Sequence, residues 1–188
     1  MNIIVDQNEV CRKYDYSSLI TAEENASAIS DIQSVIDAGN YFKNSPPFQT
    51  NQNLFQRSEP IWLKLRMTFL ASVFMYLGKE HKVSNMMAWS FMTNQQTQVN
   101  RDNQWHHHEK HHWTSISGIM YLHIPDDVKD FDTCGTEMAP NGPEGPGKFF
   151  IRPSYYTWLI YPSKLWHRPG IAQSDKHRFI LAADVEYQ

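Results

Sequence analysis

From residue 86 onward the chain breaks into short aromatic and β-branched runs separated by turn-forming residues, and this punctuation limits what it can fold into. The runs are 86–92 (MMAWSFM), 117–124 (SGIMYLHI), 148–152 (KFFIR), 155–161 (YYTWLIY) and 178–187 (RFILAADVEY). They have the length and composition of strands. The stretch 139–147, APNGPEGPG, can only be a loop.

The first half has a different period. Thr21 and Glu24 fit a capping box at a helix start, Ile29, Ile32 and Ile36 follow at helical spacing, and Gly39 is a stop. Residues 44–55 read as a loop. A second helix begins near Ser58-Glu-Pro60, with Ser58 as cap, and Trp62, Leu65, Phe69, Val73 and Leu77 form its apolar face. Helices are therefore expected near 22–38 and 59–79. Helices followed by many short strands predict a β-sandwich or jelly roll braced by helices.

Composition narrows the function classes. A chain of 188 residues makes one domain, 1–188, with one core. The formal charge of −3 gives no pull toward nucleic acid or an anionic membrane. The apolar run Met67–Gly78 is shorter than the roughly 20 residues a bilayer needs, and the N-terminus lacks a signal-peptide pattern. Cys11 and Cys134 form no disulfide framework, so a reducing compartment is the simpler reading.

Chemistry concentrates in 105–113, WHHHEKHHW, which holds five of the nine histidines. The plain alternative is a solvated His-rich loop. On a strand, His107, Glu109 and His111 would share one face. Imidazoles with one carboxylate suit Fe(II) with open coordination positions. A further ligand should come from elsewhere, and His167, in the run YPSKLWHRPG (161–170), is the candidate. Arg178 opens the last strand. Inside a barrel a guanidinium must meet an anion, and a dicarboxylate cosubstrate would supply one. The alternative is a salt bridge to Asp175 or Asp184.

The His/acid cluster, SGIMYLHIP (117–125), WLIYPSKLWHR (158–168) and SDKHR (174–178) together resemble the Fe(II)/2-oxoglutarate-dependent oxygenase superfamily. They are most similar to its phage and marine bacterial members, whose blocks read H-x-H, SGxYYL, FPSxLxHR and SDxxR. The resemblance covers about residues 84–188. It implies a mainly β double-stranded β-helix (a cupin-like jelly roll) over 84–188, with helical support from 1–83 packed on one sheet. It implies Fe(II), 2-oxoglutarate and O2 as cofactor and cosubstrates, and hydroxylation of a small-molecule or protein substrate with release of succinate and CO2. The metal ligands it implies are Glu109 and His167, with His107 on the superfamily's His-x-acid order or His111 on the ungapped match to the H-x-H block. Arg178 would grip the distal carboxylate of 2-oxoglutarate and Tyr121 would add a hydroxyl; Tyr121 also reads as a core aromatic. Trp105, Trp113, Trp158 and Trp166 are pocket walls or core. In the loop 126–147, expected to cover the substrate, Glu137 is a substrate contact or a solvated carboxylate. The implied location is the cytoplasm of a bacterium or phage-infected host. The competing readings are a cupin-like metal protein without 2-oxoglutarate chemistry, which has no use for Arg178, and a non-enzymatic accessory module.

Overall fold

A computed structural model describes residues 3–4, 10–41, 48–51, 53–79, 81–98, 105–107 and 115–187. Helix α1 is Ala22–Asp37 and opens on the expected capping box: the Thr21 side chain accepts from the Glu24 backbone N–H, and the Glu24 carboxylate accepts from that of Thr21. Helix α2 is Pro60–Leu77. Its N-cap is Glu59, not Ser58, and makes no side-chain capping bond; Pro60 sets the first turn, and Gly78 ends the helix at a φ of 71° that suits glycine.

The strands are β1 (Ile3–Ile4), β2 (Arg12–Asp15), β3 (Phe48–Gln49), β4 (Val83–Thr93), β5 (Ser115–His123), β6 (Thr136–Ala139), β7 (Phe149–Ile151), β8 (Thr157–Pro162), β9 (Trp166–Pro169) and β10 (Arg178–Tyr187). They form two antiparallel sheets, ordered β1-β2-β8-β5-β10-β4-β3 and β7-β6-β9. Residues 105–107 add to the smaller sheet beside β9 through the bridge His106↔His167. From β4 on, the chain passes repeatedly from one sheet to the other.

Strand alternation sorts the large sheet into two faces. Met120, Leu122, Trp158, Ile160, Leu181 and Val185 pack with Trp62, Leu65 and Phe69 of α2 and with Ile32 and Ile36 of α1, so both helices cover one sheet, as expected. The other face carries Ile119, Tyr121, Leu159, Tyr161 and Ile180, which meet Met138 and Ile151 of the small sheet. This second layer is the interior in which the chemistry-bearing residues converge.

Gly118, in the SGIMYL run, sets the distance between helix and sheet. A Cβ there would lie 2.7 Å from Phe69 and 2.9 Å from Ile160. Phe69 cannot retreat, because its ring packs against Trp158 (5.0 Å between centroids) and Phe55 (5.8 Å). Gly118→Ala is therefore expected to destabilise the protein by about 1–3 kcal/mol. A thermal melt should record a fall of several degrees, and an unchanged melt would show that α2 does not press on β5.

The first half, expected as mainly helical support, also contributes strand: β2 pairs with β8 and extends the large sheet. Two expectations are corrected. The loop over 126–147 is interrupted by β6, whose four residues are all buried between β7 and β9. The WHR run is itself strand, β9. Cys11 and Cys134 are both buried and unbridged. No described helix is long and apolar enough to cross a membrane.

Candidate active site

His167 lies on β9 and is 4% exposed. Its Nδ1 is 2.7 Å from the Leu165 carbonyl, a bond that requires the proton on Nδ1 and leaves the lone pair on Nε2. A backbone acceptor of this kind is what orients a metal-binding imidazole. Its ring meets Tyr161 edge-on at 4.9 Å, and Met138 stands opposite it on β6, so His167 points into the interior.

Among the described residues of the histidine tract, the one beside His167 is His106. His106 and His167 exchange both backbone hydrogen bonds, 3.1 and 3.0 Å. Directly opposed residues of an antiparallel pair project to the same side, and the two rings lie 4.0 Å apart. The next residue must face the other way. His107 packs on Trp166 at 3.6 Å, away from His167. The structure thus does not bring His107 together with His167. Glu109 and His111 lie outside the described residues, as does Trp113. Among the described residues no three His, Cys, Asp or Glu side chains stand close enough to hold a metal ion.

Arg178 is fully buried. It sits opposite Thr93 in the β10–β4 register; its Nε donates to the Thr93 hydroxyl at 3.2 Å, and its Nη1 donates to the Cys134 carbonyl. Nη2 is buried with no partner among the described residues. Burial pulls its pKa below the usual arginine value, against the opposing effects of Tyr121 and Cys134. Neither suggested salt bridge exists. Asp175 is exposed, and Asp184, six residues along β10, accepts from the Ser117 hydroxyl at 2.6 Å, about 20 Å of strand away from Arg178. A buried cation without a counter-ion is costly, and an arriving carboxylate would remove that cost.

Tyr121 projects into the same interior from β5 opposite Ile180. Burial pushes its phenol up to about 12, so it stays a protonated donor at neutral pH. Its hydroxyl and that of Thr136 are 2.6 Å apart. Two hydroxyls sharing one hydrogen bond retain one O–H for another acceptor. Arg178 Nη2 and this O–H are two donors suited to one carboxylate.

The remaining expected residues fall elsewhere. Trp158 is on the helix side, 5.0 Å from Phe69. Trp105 and Trp166 adjoin His106, itself exposed, and the buried His167 in sequence and therefore project to the opposite face; Trp105 carries the Arg168 guanidinium at 4.3 Å. None of the three walls the interior. Glu137 is neither solvated nor aimed inward: it is 7% exposed and pairs with Arg168 Nε at 2.7 Å.

Solved structures of known proteins share this fold. The non-heme alpha ketoglutarate dependent carbocyclase SnoK from nogalamycin biosynthesis aligns with a TM-score of 0.70 at 8% identity, over 94% of this chain and 79% of that one. A Pseudomonas putida prolyl-4-hydroxylase aligns at 0.63 and 9%, over 95% of this chain and 92% of that one. A prolyl 4-hydroxylase from Phytophthora capsici aligns at 0.63 and 10%; 95% of this chain is covered, and it spans 59% of that protein. No family model and no curated protein sequence matches the chain.

Proposed function

We propose that this chain is an Fe(II)- and 2-oxoglutarate-dependent dioxygenase built on a double-stranded β-helix, hydroxylating a small-molecule or protein substrate with release of succinate and CO2. The observation that carries the reading is Arg178: a fully buried guanidinium whose Nη2 group is unsatisfied, with no carboxylate partner among the described residues and a protonated tyrosine in the same interior. A cupin-like metal protein without this cosubstrate would leave that cation uncompensated. The likeness of fold to a carbocyclase and to prolyl hydroxylases supports the same reading.

The residues fit the implied groups. His167 Nε2 would be one metal ligand and the imidazole of His106 a second; the expected carboxylate, Glu109, lies outside the described residues and, having the parity of the outward-facing His107, would reach the site only from beyond the strand pairing. We assign His106 the role first expected of His107 or His111, because among the described residues of the tract its ring stands beside His167. When bound, iron with 2-oxoglutarate and O2 supplies the oxidising power. The chain's own contribution is placement. The Arg178 fork and the spare O–H of the Tyr121–Thr136 pair bind one carboxylate, while Thr93 and the Cys134 carbonyl fix the guanidinium. Ile119, Leu159 and Ile180 keep water from that contact and so strengthen it.

The direct test is 2-oxoglutarate turnover by the iron-loaded protein with candidate substrates, read as succinate; succinate formation that needs both iron and 2-oxoglutarate is expected. The choice of histidine is tested separately. His106→Ala should lower iron retention by more than about 100-fold, beyond the 10–100-fold that an outlying contact is worth. His107→Ala should retain iron, because its ring lies on Trp166 on the outer face. Anaerobic metal analysis of the two variants reads the difference, and the reverse pattern would return the ligand role to His107.

A further inference from the structure

The histidine tract cannot set its own register. His106, His107 and His108 follow one another, so a slip of one place along β9 still offers an imidazole to His167. What tells the registers apart is the other face of the same strands. There the pairing sets Trp105 against Arg168 and His107 against Trp166, one place to either side of His106↔His167. The Arg168 guanidinium lies 4.3 Å from the centre of the Trp105 ring, and Lys148 Nζ lies 5.9 Å from it. Arg168 is held from its other side as well. Glu137 stands opposite it on β6, its carboxylate is 2.7 Å from Nε, and the Glu137 and Arg168 side chains are only 9% and 11% exposed.

This row, Glu137–Arg168–Trp105, answers to one register only. A slip one way would set His106 over Arg168 and lose the contact between the cation and an indole. A slip the other way would turn Trp105 inward against His167. A buried ion pair adds little stability over an apolar pair of similar volume, and its best attested use is to single out one pairing among several.

We propose that Trp105, Arg168 and Glu137 are positioning residues, which fix the register of the histidine tract on β9 and so select His106 as the imidazole beside His167. The consequence for iron rests on the function proposed above; the register does not, and is tested on the full chain without metal. His107→Cys with Trp166→Cys puts thiols on directly opposed residues that share no backbone hydrogen bond, close enough for a disulfide. His108→Cys with Trp166→Cys closes readily only after a slip of one place. Mild oxidation and mass spectrometry of unreduced peptides read both yields. With Trp105, Glu137 and Arg168 in place, the 107–166 product should exceed the 108–166 product by about tenfold, the worth of a partly desolvated cation–π contact. Adding Glu137→Leu with Arg168→Met, or Trp105→Leu alone, should bring the two yields within about threefold, and Trp105→Tyr, which keeps an aromatic face, should preserve the preference. In the otherwise native chain, Glu137→Leu with Arg168→Met should leave the melting temperature near the wild-type value while iron retention falls by about 10–100-fold. Variants lacking the row that still cross-link only at 107–166 overturn the proposal whatever their iron content, as do equal yields with the row intact. Equal yields in those variants with iron fully retained support the register and instead remove His106 from the ligand set.

Discussion

Arg178→Met is expected to abolish saturable 2-oxoglutarate binding while leaving the apo-protein at least as stable as the wild type. The two effects come from one feature. Arg178 is a cation held wholly out of water, with Thr93 and the Cys134 carbonyl as partners and Nη2 unsatisfied. Without an anion this arrangement works against folding, because desolvating the charge is not repaid. Methionine fills most of the volume and carries no charge; the cost that remains is the lost hydrogen bonds to the Cys134 carbonyl and the Thr93 hydroxyl, about 1–3 kcal/mol. With 2-oxoglutarate bound the balance inverts: a buried, bidentate guanidinium–carboxylate pair is worth about 2–5 kcal/mol, so its loss should weaken binding by roughly 100-fold or more. In the wild type, 2-oxoglutarate at about 100 times its Kd should add about 2.7 kcal/mol and raise the melting temperature by several degrees. In Arg178→Met that rise should vanish. A variant that melts much lower and still responds to 2-oxoglutarate would make Arg178 a structural residue and favour a metal protein without this cosubstrate.

The second large effect is expected at His167. Its Nδ1 bond to the Leu165 carbonyl presets the tautomer, and contact with Tyr161 presets the ring plane, so Nε2 is offered to a metal at little entropic cost. His167→Ala removes one imidazole of the proposed set and cuts a buried ring out of the interior. Iron retained after anaerobic dialysis should fall more than about 100-fold, beyond the 10–100-fold that loss of an orienting group costs. Because the cavity also lowers stability, His167→Gln is the informative companion: it fills the site, keeps the fold, and should still lose iron. Full iron content in the glutamine variant would place the metal elsewhere.

The inward position of Arg178 was legible in the sequence because it opens an apolar strand run; His167 was read as following a strand, whereas it lies within β9, whose pairing with β6 turns it inward. The histidine tract was not legible. Which of His106, His107 and His111 faces His167 depends on the register against β9, and a slip of one residue turns every side chain to the opposite face. That register is set by a backbone bridge between segments 61 residues apart, His106↔His167, which composition does not record. Strand β6 was missed for a related reason. TEMA has no alternating pattern, and it is strand because β7 and β9 supply partners on both sides. Likewise Glu137 reads as a surface carboxylate until β6 and β9 bring Arg168 opposite it. The helices were legible over almost their whole length, since capping chemistry and 3.6-residue periodicity are local.

The most direct test is equilibrium binding of 2-oxoglutarate, without oxygen, to protein carrying Fe(II), repeated after the metal has been removed by a chelator. One cosubstrate per chain is expected, bound tightly with iron present and much more weakly without it, and lost in Arg178→Met even when iron is retained. Binding that ignores the metal, or an iron-loaded chain that takes up no 2-oxoglutarate, would contradict the account.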